Sequence, residues 1–492
     1  MKTQDENLDE SMVLISKKEY DNLQSTIGNL NDQLSELKRM IFGSKSERFV
    51  PLVEGQLGLF SEAVSETPVA EEEQVIEVKR KQPSKSKQVP VRTTIPAHLP
   101  RVEEIIEPEN KTADSEKIGE EITEILEYTP GKLFVRRIVR PKYRTNKEIT
   151  IGELPSLPLP KSNAGASLLS HIMVSKFIDH LPFYRQIQIF KRQKVVLSSS
   201  TISGWFNQTS ELLEPLYDVL EQEVLNTDYL QMDESPIGVQ DSHKIGALHQ
   251  GYQWVYRNPV KGLVLFKYDS SRSKKVPEEI LSNYSGYLQT DGYAAYQNLV
   301  TKGNITLLGC MAHARRYFEK ALDNDHKRAS YVLKRIQELY IIEKKCKERS
   351  VDETVKQRYR NKYANPILKK MKHWLDENIQ KVLPKSSIGK AISYTIKIWK
   401  NLERYVLDPR FEIDNNLIEN SIRPLALGRK NYLFAGSHKA AQNIAMMYSF
   451  FASCKVNQIE PLAWLTHTLE NILDHKANKL AELLPHNYNP KK

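Results

Sequence analysis

The first periodic pattern in the chain lies near its beginning, where apolar residues recur in alternating steps of three and four. Its members are Tyr20, Leu23, Ile27, Leu30, Leu34, Leu37 and Ile41. This spacing is a heptad repeat, and it predicts a leucine-zipper-like coiled coil over residues 12–49. A helix packed on its own protein would show the same stripe. Gly28 costs roughly 1 kcal/mol relative to alanine, which favours a helix that is stabilised by a partner strand.

The next two segments have no helical period. Residues 50–100 pass from an acidic run to a basic run with recurrent proline, and this composition predicts a disordered linker. Residues 101–155 contain short alternating runs such as "KLFVRRIVRPKYR". Alternation of this kind predicts strands with a basic face, and hence a small β-rich module.

Residues 164–225 return to a helical pattern. Two short helices and a turn precede a third helix that begins near the serines at 198–200, which are good N-caps. This arrangement predicts a helix-turn-helix DNA-binding domain in which Thr201 and Ser203 reach DNA. An ordinary helical bundle is the alternative.

Strand patterns dominate after residue 226. The predicted order is β-β-β-α-β-α-β-α, which indicates an antiparallel meander followed by crossover units in one mixed sheet covered by helices. A charged, helix-forming block without strand patterns occupies about 323–404, and a helical element closes the chain over 441–492. The predicted fold class is therefore α/β and multidomain.

Composition narrows the possible partners. The 492 residues carry a formal net charge of +10 with a pI of about 9.1, which is compatible with nucleic acid but does not demonstrate it. The beginning of the chain has no apolar signal-peptide region, and no stretch is long enough to span a bilayer. Three widely separated cysteines supply neither a disulfide framework nor a four-cysteine zinc site. We expect a cytoplasmic protein without zinc and without membrane contact.

Three carboxylates are candidates for chemistry. Asp233 lies inside the first strand of the predicted sheet, Asp291 follows the fourth strand, and Glu419 lies on a helix after the charged block. The first and fourth strands are expected to be neighbours, so the two aspartates can converge. Carboxylates held together bind Mg²⁺, and two such ions support phosphodiester chemistry. Each residue considered alone is more simply a solvated surface group, although aspartate inside a strand is unusual.

The helix that carries Glu419 has a polar face. Its members are Asn415, Asn416, Glu419 and Arg423. Such a face suits a site in which Glu419 is a metal ligand, the two asparagines orient groups or contact DNA, and Arg423 binds a phosphate. Asp414 is expected to cap this helix and Pro424 to end it. In the following "GRKNY", a glycine permits close approach of backbone, and Arg429 and Lys430 suit phosphates. A solvent-exposed polar helix is the alternative.

Taken together, four segments resemble the IS sixty-six family of bacterial insertion-sequence transposases. They read "QMDESP", "LQTDGYAAY", "GCMAHARRYFEKAL" and "DNNLIENSIRPLALGRKNYLFAGS". The resemblance extends over nearly the whole chain, and the last motif is highly specific.

The resemblance implies an RNase H-like DDE catalytic domain over 226–440, interrupted by the helical insertion at about 323–404. It matches Asp233, Asp291 and Glu419 to the catalytic and metal-binding triad, with Mg²⁺ or Mn²⁺, two ions per site, as the cofactor. It also implies double-stranded DNA as partner, both element ends and target. His313, Arg315 and Arg316 match a family segment for which DNA-binding or structural roles are both open. A homo-oligomer formed through the coiled coil, companion proteins of the same element and a nucleoid-associated location are further expectations.

One departure concerns zinc. The family commonly carries a cysteine-rich zinc module where this chain has residues 101–155, which contain no cysteine. Zinc binding is therefore not expected.

Three functions remain open at this point. The first is a transposase that binds terminal inverted repeats and catalyses metal-dependent strand cleavage and strand transfer. The second is a catalytically silent, transposase-derived DNA-binding protein, and the third is another nuclease such as a resolvase. Retention of all three carboxylates favours the first.

Overall fold

The computed structural model describes residues 162–241, 247–292 and 304–489, together with 156–159, Tyr296, 299–300 and a few earlier positions. The chain divides into two compact units, one formed by residues 1–45 and 155–492 and the other by residues 46–154. The predicted coiled coil and linker lie outside the described residues, apart from Ser16, Lys17 and Glu19.

The smaller unit contains an antiparallel β-hairpin. Strand β1 spans Lys142–Thr145 and strand β2 spans Glu148–Ile151, with Lys142 opposite Ile151. The hairpin falls within the segment for which the alternating sequence predicts short strands.

The larger unit is built around a mixed five-stranded sheet. Its strands are β3 (Tyr229–Gln240), β4 (Leu248–Asn258), β5 (Leu263–Asp269), β6 (Gly286–Gln289) and β7 (Ile305–Leu308). The spatial order is β5-β4-β3-β6-β7, in which β5, β4 and β3 are antiparallel and β3, β6 and β7 are parallel. The first and fourth strands of the sheet are therefore neighbours, as the element order predicts. Crossover connections bring their carboxyl ends to the same edge.

Helices from both ends of the larger unit share one core with the sheet. They are α1 (Ala166–Phe177), α2 (Phe183–Arg192), α3 (Ser199–Leu225), α12 (His438–Val456) and α13 (Pro461–Asn471). Ser198 caps α3, as predicted, by accepting a hydrogen bond from the Thr201 amide. Buried Leu213 and Leu220 of α3 belong to the same apolar cluster as Phe266 of β5. Residues 225–226, where the sequence predicts a change of domain, are therefore the point at which helix α3 gives way to the sheet inside a single core.

Helix α12 covers the outer strand of the sheet. The Ser449 hydroxyl accepts a hydrogen bond from the Phe266 amide at 2.7 Å, and the Ser453 hydroxyl accepts one from the Val264 amide at 3.0 Å. An uncovered edge strand is a template for pairing with other chains. Two serines on consecutive turns of α12 satisfy these amides and close the edge.

Of two short helices, the first lies between β5 and β6 and the second leads from β7 into a helical insertion. Helix α4 spans Lys275–Ile280, and α5 spans Met311–Glu319 directly after β7. The insertion contains α6 (His326–Glu348), α7 (Glu353–Tyr359), one π-helical turn (Arg360–Ala364), α8 (Asn365–Ile379), α9 (Ser387–Lys397) and α10 (Trp399–Glu403). These helices have a second apolar cluster, which meets the sheet at Tyr229 and Leu308.

A buried arginine closes the insertion. Arg360 is fully buried, pairs with Glu343 at 2.8 Å and donates to the carbonyl oxygens of Tyr405, Asp408 and Phe411. The guanidinium can satisfy five acceptors, so one residue joins α6, the π-helical turn and the chain that leaves α10.

In the described part of the chain, no helix combines the length and apolarity that crossing a membrane requires. All three cysteines, Cys310, Cys346 and Cys454, are buried and free of disulfide bonds.

Candidate active site

The two aspartates each follow one of a pair of facing glutamines on neighbouring strands. Gln231 of β3 lies opposite Gln289 of β6 in the parallel register. The side-chain amide of Gln231 donates from Nε2 to Gln289 Oε1 at 2.9 Å. Side chains two residues apart in a strand share a face. Asp233 therefore lies on the same face of β3 as Gln231, and Asp291 lies two residues after Gln289, just beyond the end of β6. The charge of Asp291 helps to raise the pKa of Asp233, so the two carboxylates are near each other.

The helix that carries Glu419, α11, is longer than the sequence predicts. It spans Asn416–Tyr432 with Pro424 inside, so the predicted end at Pro424 is wrong and "GRKNY" is helical. A proline in a helix interior costs about 3 kcal/mol. Ile418, Ile422 and Leu425 form a buried face on both sides of the proline, and this packing offsets the missing hydrogen bond.

The start of α11 also differs from the prediction, because Asn415 and not Asp414 holds the N-cap position. Asn415 is fully buried and donates from its side chain to the Met232 carbonyl oxygen at 3.1 Å. Met232 is next to Asp233, so this bond joins the first turn of α11 to the strand that carries the first aspartate. Asn415 thus has a positioning role, and its side chain is buried away from any DNA surface.

An arginine of the next strand also holds α11 against the sheet. Arg257 of β4 donates from Nη1 to the Leu417 carbonyl oxygen at 3.0 Å and to the Ser421 hydroxyl at 3.1 Å. Leu417 and Ser421 flank Glu419 on α11. The glutamate is therefore held against the sheet from two neighbouring strands.

The three carboxylates are close enough to influence one another. Burial raises the pKa of Asp233 to about 8, and the charges of Glu234, Asp291 and Glu419 act in the same direction. The Glu234 amide opposes the rise by donating to Asp233 Oδ1 at 2.8 Å. Burial disfavours the charged form of the carboxyl group, and the neighbouring negative charges add to this effect.

Glu419 has one engaged and one unengaged oxygen. Arg316 of α5 donates from Nη2 to Glu419 Oε2 at 2.8 Å, whereas Glu419 Oε1 is buried and has no hydrogen-bond partner among the described residues. Arg316 Nη1 lies 3.1 Å from His313 Nε2. Burial and the adjacent Arg316 charge lower the pKa of His313, so its imidazole is neutral near pH 7. The helix α5 thus brings a cation and a neutral imidazole to the carboxylates.

The carboxylate oxygens suit a divalent cation, although the side chains are not arranged as a complete set of metal ligands. Carboxylate oxygens are the ligands that Mg²⁺ and Mn²⁺ prefer, and the unpartnered Glu419 Oε1 is a free hard donor. Among the described residues, however, no three His, Cys, Asp or Glu side chains are arranged to hold a metal ion. Arg316 instead supplies the positive charge at Glu419.

Two features of the site escaped the sequence prediction. Tyr340 of α6 donates to Asp414 Oδ2 at 2.6 Å, and Asp414 also accepts from the Asn416 amide at 2.9 Å. Glu234, whose side chain is 4% exposed, pairs with Arg272 and accepts a hydrogen bond from Tyr296. Both carboxylates are thus structural. The repeated Gln-x-Asp in "QMD" and "QTD" was the available sequence clue to the strand pairing.

The predicted DNA-contacting residues of α5 and α11 divide into bound and exposed side chains. Arg315 pairs with Glu319 at 2.8 Å, and Arg429 donates to the Ser235 hydroxyl at 3.0 Å. Asn416 is exposed but donates to Asp414 Oδ2 at 2.7 Å. Arg423 and Lys430 are fully available at the surface of α11.

The predicted DNA contacts of α3 lie on a different element from the carboxylates. The Thr201 hydroxyl lies 2.8 Å from the Ser198 hydroxyl, so it forms a hydrogen bond within the N-terminal cap of its own helix. Ser203 is exposed and lines a cavity of about 270 Å³ together with Lys176 and Lys439. Only Ser203 of the pair is placed to meet a partner.

Comparison with protein families gives three matches along the chain. Residues 161–443 match the model described as Transposase IS66 family, and residues 449–486 match the IS66 C-terminal element. Residues 29–103 match the model described as Transposase C of IS166 homeodomain. This last match overlaps the predicted coiled coil and linker, whose structure lies outside the described residues.

Full-length relatives occur in Sinorhizobium fredii. The uncharacterized protein y4jD is 30% identical over 495 residues, covering 96% of both chains. The uncharacterized protein y4qI is 31% identical over 487 residues, covering 94% of this chain and 89% of its own. No solved structure matches the chain. With a family match over more than half of its length, the chain belongs to the IS66 family of transposases, as its sequence motifs predict.

Proposed function

We propose that this protein is an active DDE transposase with an RNase H-like catalytic domain, which cleaves DNA at the ends of its element and joins them to a target. The strand order β5-β4-β3-β6-β7 with an inserted helical block supports the fold assignment. The observation that carries the activity is the convergence of Asp233, Asp291 and Glu419 from two paired strands and one tethered helix.

Each site residue has a distinct proposed task. Asp233, Asp291 and Glu419 would hold Mg²⁺ or Mn²⁺, which in a two-ion site activates the attacking oxygen and stabilises the leaving oxygen. Arg316 neutralises Glu419 before DNA binds and then turns to a phosphate, since one guanidinium suits both partners. Neutral His313 holds Arg316 in place.

DNA binding is proposed for the whole assembly. Arg423 and Lys430 on the exposed side of α11 contact phosphates, and Ser203 contributes to recognition of the terminal inverted repeats. A homo-oligomer would pair the two ends. Companion proteins of the same element and association with the nucleoid belong to the same proposal.

One observation favours the alternative of a catalytically silent DNA-binding protein. Glu419 is paired with Arg316, and the described residues contain no three-ligand metal cluster. If the protein is catalytically silent, the ion pair between Arg316 and Glu419 is a permanent structural contact. The two functions differ in whether the charge of Glu419 is required for cleavage or only for stability.

The deciding experiment is Glu419→Gln, assayed for Mg²⁺-dependent cleavage of terminal inverted repeats and for binding of the same DNA. We expect cleavage to fall by about 10³-fold or more, because the amide cannot replace a ligand charge, while binding is retained. Glu319→Gln is the matched control, since Glu319 also pairs with an arginine of α5 at 2.8 Å.

The outcomes separate the proposals. Near-normal cleavage by Glu419→Gln would remove Glu419 from the triad. If the wild-type protein binds the ends but leaves them uncut in Mg²⁺ and in Mn²⁺, the silent DNA-binding protein is the better description.

A further inference from the structure

The excess positive charge of the chain is concentrated in the helical insertion. Residues 323–404 contain 21 lysine and arginine residues against 10 aspartate and glutamate residues, whereas the whole chain has 71 against 61. The excess of 11 in the insertion matches the net charge of +10 for the chain, so the remaining residues are close to neutral overall. The insertion is therefore a candidate surface for a phosphate backbone, because a local excess of positive charge attracts it.

Two lysines of the insertion share a face of α9. Lys390 and Lys397 are seven residues apart, which places them within about 20° of each other around the helix and about 10 Å apart along it. Both are exposed. Neither has a carboxylate partner among the described residues, in contrast to Lys372 of α8, which pairs with Asp376 at 2.5 Å. The two ammonium groups are therefore available to phosphates.

The same face of α9 adjoins the carboxylates. Tyr394 lies four residues after Lys390, within about 40° of it around the helix. Its hydroxyl donates to the Asp291 carbonyl oxygen at 2.8 Å. The glycine at 292 has φ +87°, and a Cβ there would lie only 3.0 Å from the Tyr394 hydroxyl. Close approach at this glycine brings α9 against the segment that carries Asp291.

An exposed aromatic ring completes this surface. Tyr317 of α5 stacks on Tyr394 with ring centroids 4.2 Å apart and ring planes 20° apart. Tyr317 is 41% exposed although it is a large aromatic residue. It directly follows Arg316, the cation that pairs with Glu419. A rigid aromatic ring beside unpaired lysines is the arrangement with which proteins hold single-stranded nucleic acid.

We propose that Tyr317, Lys390 and Lys397 form a platform that binds the DNA strand next to the bond to be cleaved. The lysines bind phosphates of that strand, and Tyr317 stacks on a base that has left the duplex. This inference rests on the proposed function and deepens it, because it names the surface on which the substrate strand lies.

The lysine contacts are tested by the salt dependence of binding. The full chain would be titrated with a labelled duplex that carries a single-stranded overhang, without divalent metal, over a series of salt concentrations. The double variant Lys390→Gln/Lys397→Gln is expected to reduce the slope of log K against log salt by about 1–2, since each phosphate contact contributes about 0.7–0.9. Affinity at low salt falls with it.

A matched control removes the same charge from another face of the insertion. Lys334 and Lys345 of α6 are exposed, and both lie about a third of a turn away from Tyr340, whose hydroxyl contacts Asp414. The double variant Lys334→Gln/Lys345→Gln should leave the slope unchanged. An equal reduction of the slope in both double variants would show that DNA responds to the overall charge of the insertion, and it would overturn the platform. A slope unchanged in both variants would also overturn it.

The aromatic contact has its own readout. Tyr317→Ala is expected to weaken binding of the overhang DNA about ten-fold and to leave binding of a blunt duplex unchanged. Tyr317→Phe should keep wild-type affinity because it retains the ring. Equal losses for both DNAs, or no loss for either, would overturn the stacking role.

These binding measurements do not depend on cleavage. If the wild-type protein cuts no DNA, the selective effect of the α9 lysines would still establish the platform while the proposed catalytic function fails. If cleavage is normal and the α9 and α6 variants bind alike, the platform fails and the catalytic proposal stands.

Discussion

At the scale of single residues, the site depends on buried polar groups that hold the carboxylates in place. Gln231 and Gln289 pair the two strands, and Asn415 and Arg257 hold α11 against them. A buried polar group that loses its partner costs about 1–3 kcal/mol. These bonds favour the observed arrangement of the strands and the helix, because breaking one would leave a buried donor without its acceptor.

Lys176 is a half-buried cation surrounded by aromatic rings. Its ammonium lies 3.7 Å from the centre of the Phe183 ring, and burial lowers its pKa to about 7 from an ordinary value of 10.5. Between these two pH values the unfolded chain binds the proton more tightly than the folded chain. The cost to stability is therefore fully present below pH 7 and is relieved as the pH rises toward 10.5.

We expect Lys176→Met to raise the free energy of unfolding by about 1–2 kcal/mol at pH 7. This is less than the pKa change alone would give, because the side chain is partly exposed and its charge is stabilised by aromatic rings. The gain should shrink toward pH 10. Denaturant unfolding at several pH values measures it, with Lys439→Met, which lines the same cavity, as control. A gain independent of pH would contradict the assignment.

At the scale of elements, the third helix and the last two helices share one apolar core with the five-stranded sheet. Helix α3 packs on the sheet, and α12 satisfies the amides of β5 through Ser449 and Ser453. Removing residues 166–225 would expose one face of the sheet instead of isolating a recognition function. Point substitutions at exposed Ser203 are the appropriate probe of end recognition.

Close contact between α11 and α12 depends on a glycine. A Cβ at Gly428 would overlap the Tyr448 hydroxyl and lie 2.9 Å from the Tyr432 ring, and Tyr448 is 2% exposed. We expect Gly428→Ala to destabilise the protein by about 1–3 kcal/mol, because overpacking outweighs the gain in helix propensity. Thermal unfolding measures the loss. Gly436→Ala is the control, since a Cβ there meets nothing within 4 Å; equal stability of the two variants would refute the packing role.

At the scale of the whole molecule, the sheet and its surrounding helices have large apolar cores of their own, and we predict that the heptad segment near the start of the chain forms the oligomer. The heptads over residues 12–49 lie outside the described residues, so the coiled coil stays a prediction. Two ends of one element have to be brought together for transposition. A separate oligomerising segment would allow this without burying the basic surface of the insertion.

Replacing Leu30 and Leu34 by lysine places charges in the heptad seam. We expect the oligomer to dissociate, with paired-end complexes lost and single-end binding retained. Analytical ultracentrifugation compares the variant with a Glu36→Lys control, which changes a position outside the seam. An unchanged sedimentation coefficient for the seam variant would count against the coiled coil.

Local patterns in the sequence were sufficient to predict the order of strands and the neighbouring placement of β3 and β6, and they also suggested the three candidate carboxylates. These features depend on periodicity and on residue types that are unusual at their positions, such as aspartate inside a strand. The length of α11 was not predictable, because the preference of proline to end a helix is local and the apolar packing of Ile418, Ile422 and Leu425 is not.

Only the tertiary structure decided which polar groups are partners. Residues Arg316 and Glu419 are 103 positions apart, and Asn415 is 183 positions from Met232, so no short-range pattern relates them. The sequence by itself determined the family and the chemical character of the site. Burial determined that Asn415 positions a helix, that Asp414 and Glu234 are structural and that the face of α9 adjoins the carboxylates, because burial depends on every element packed around a residue.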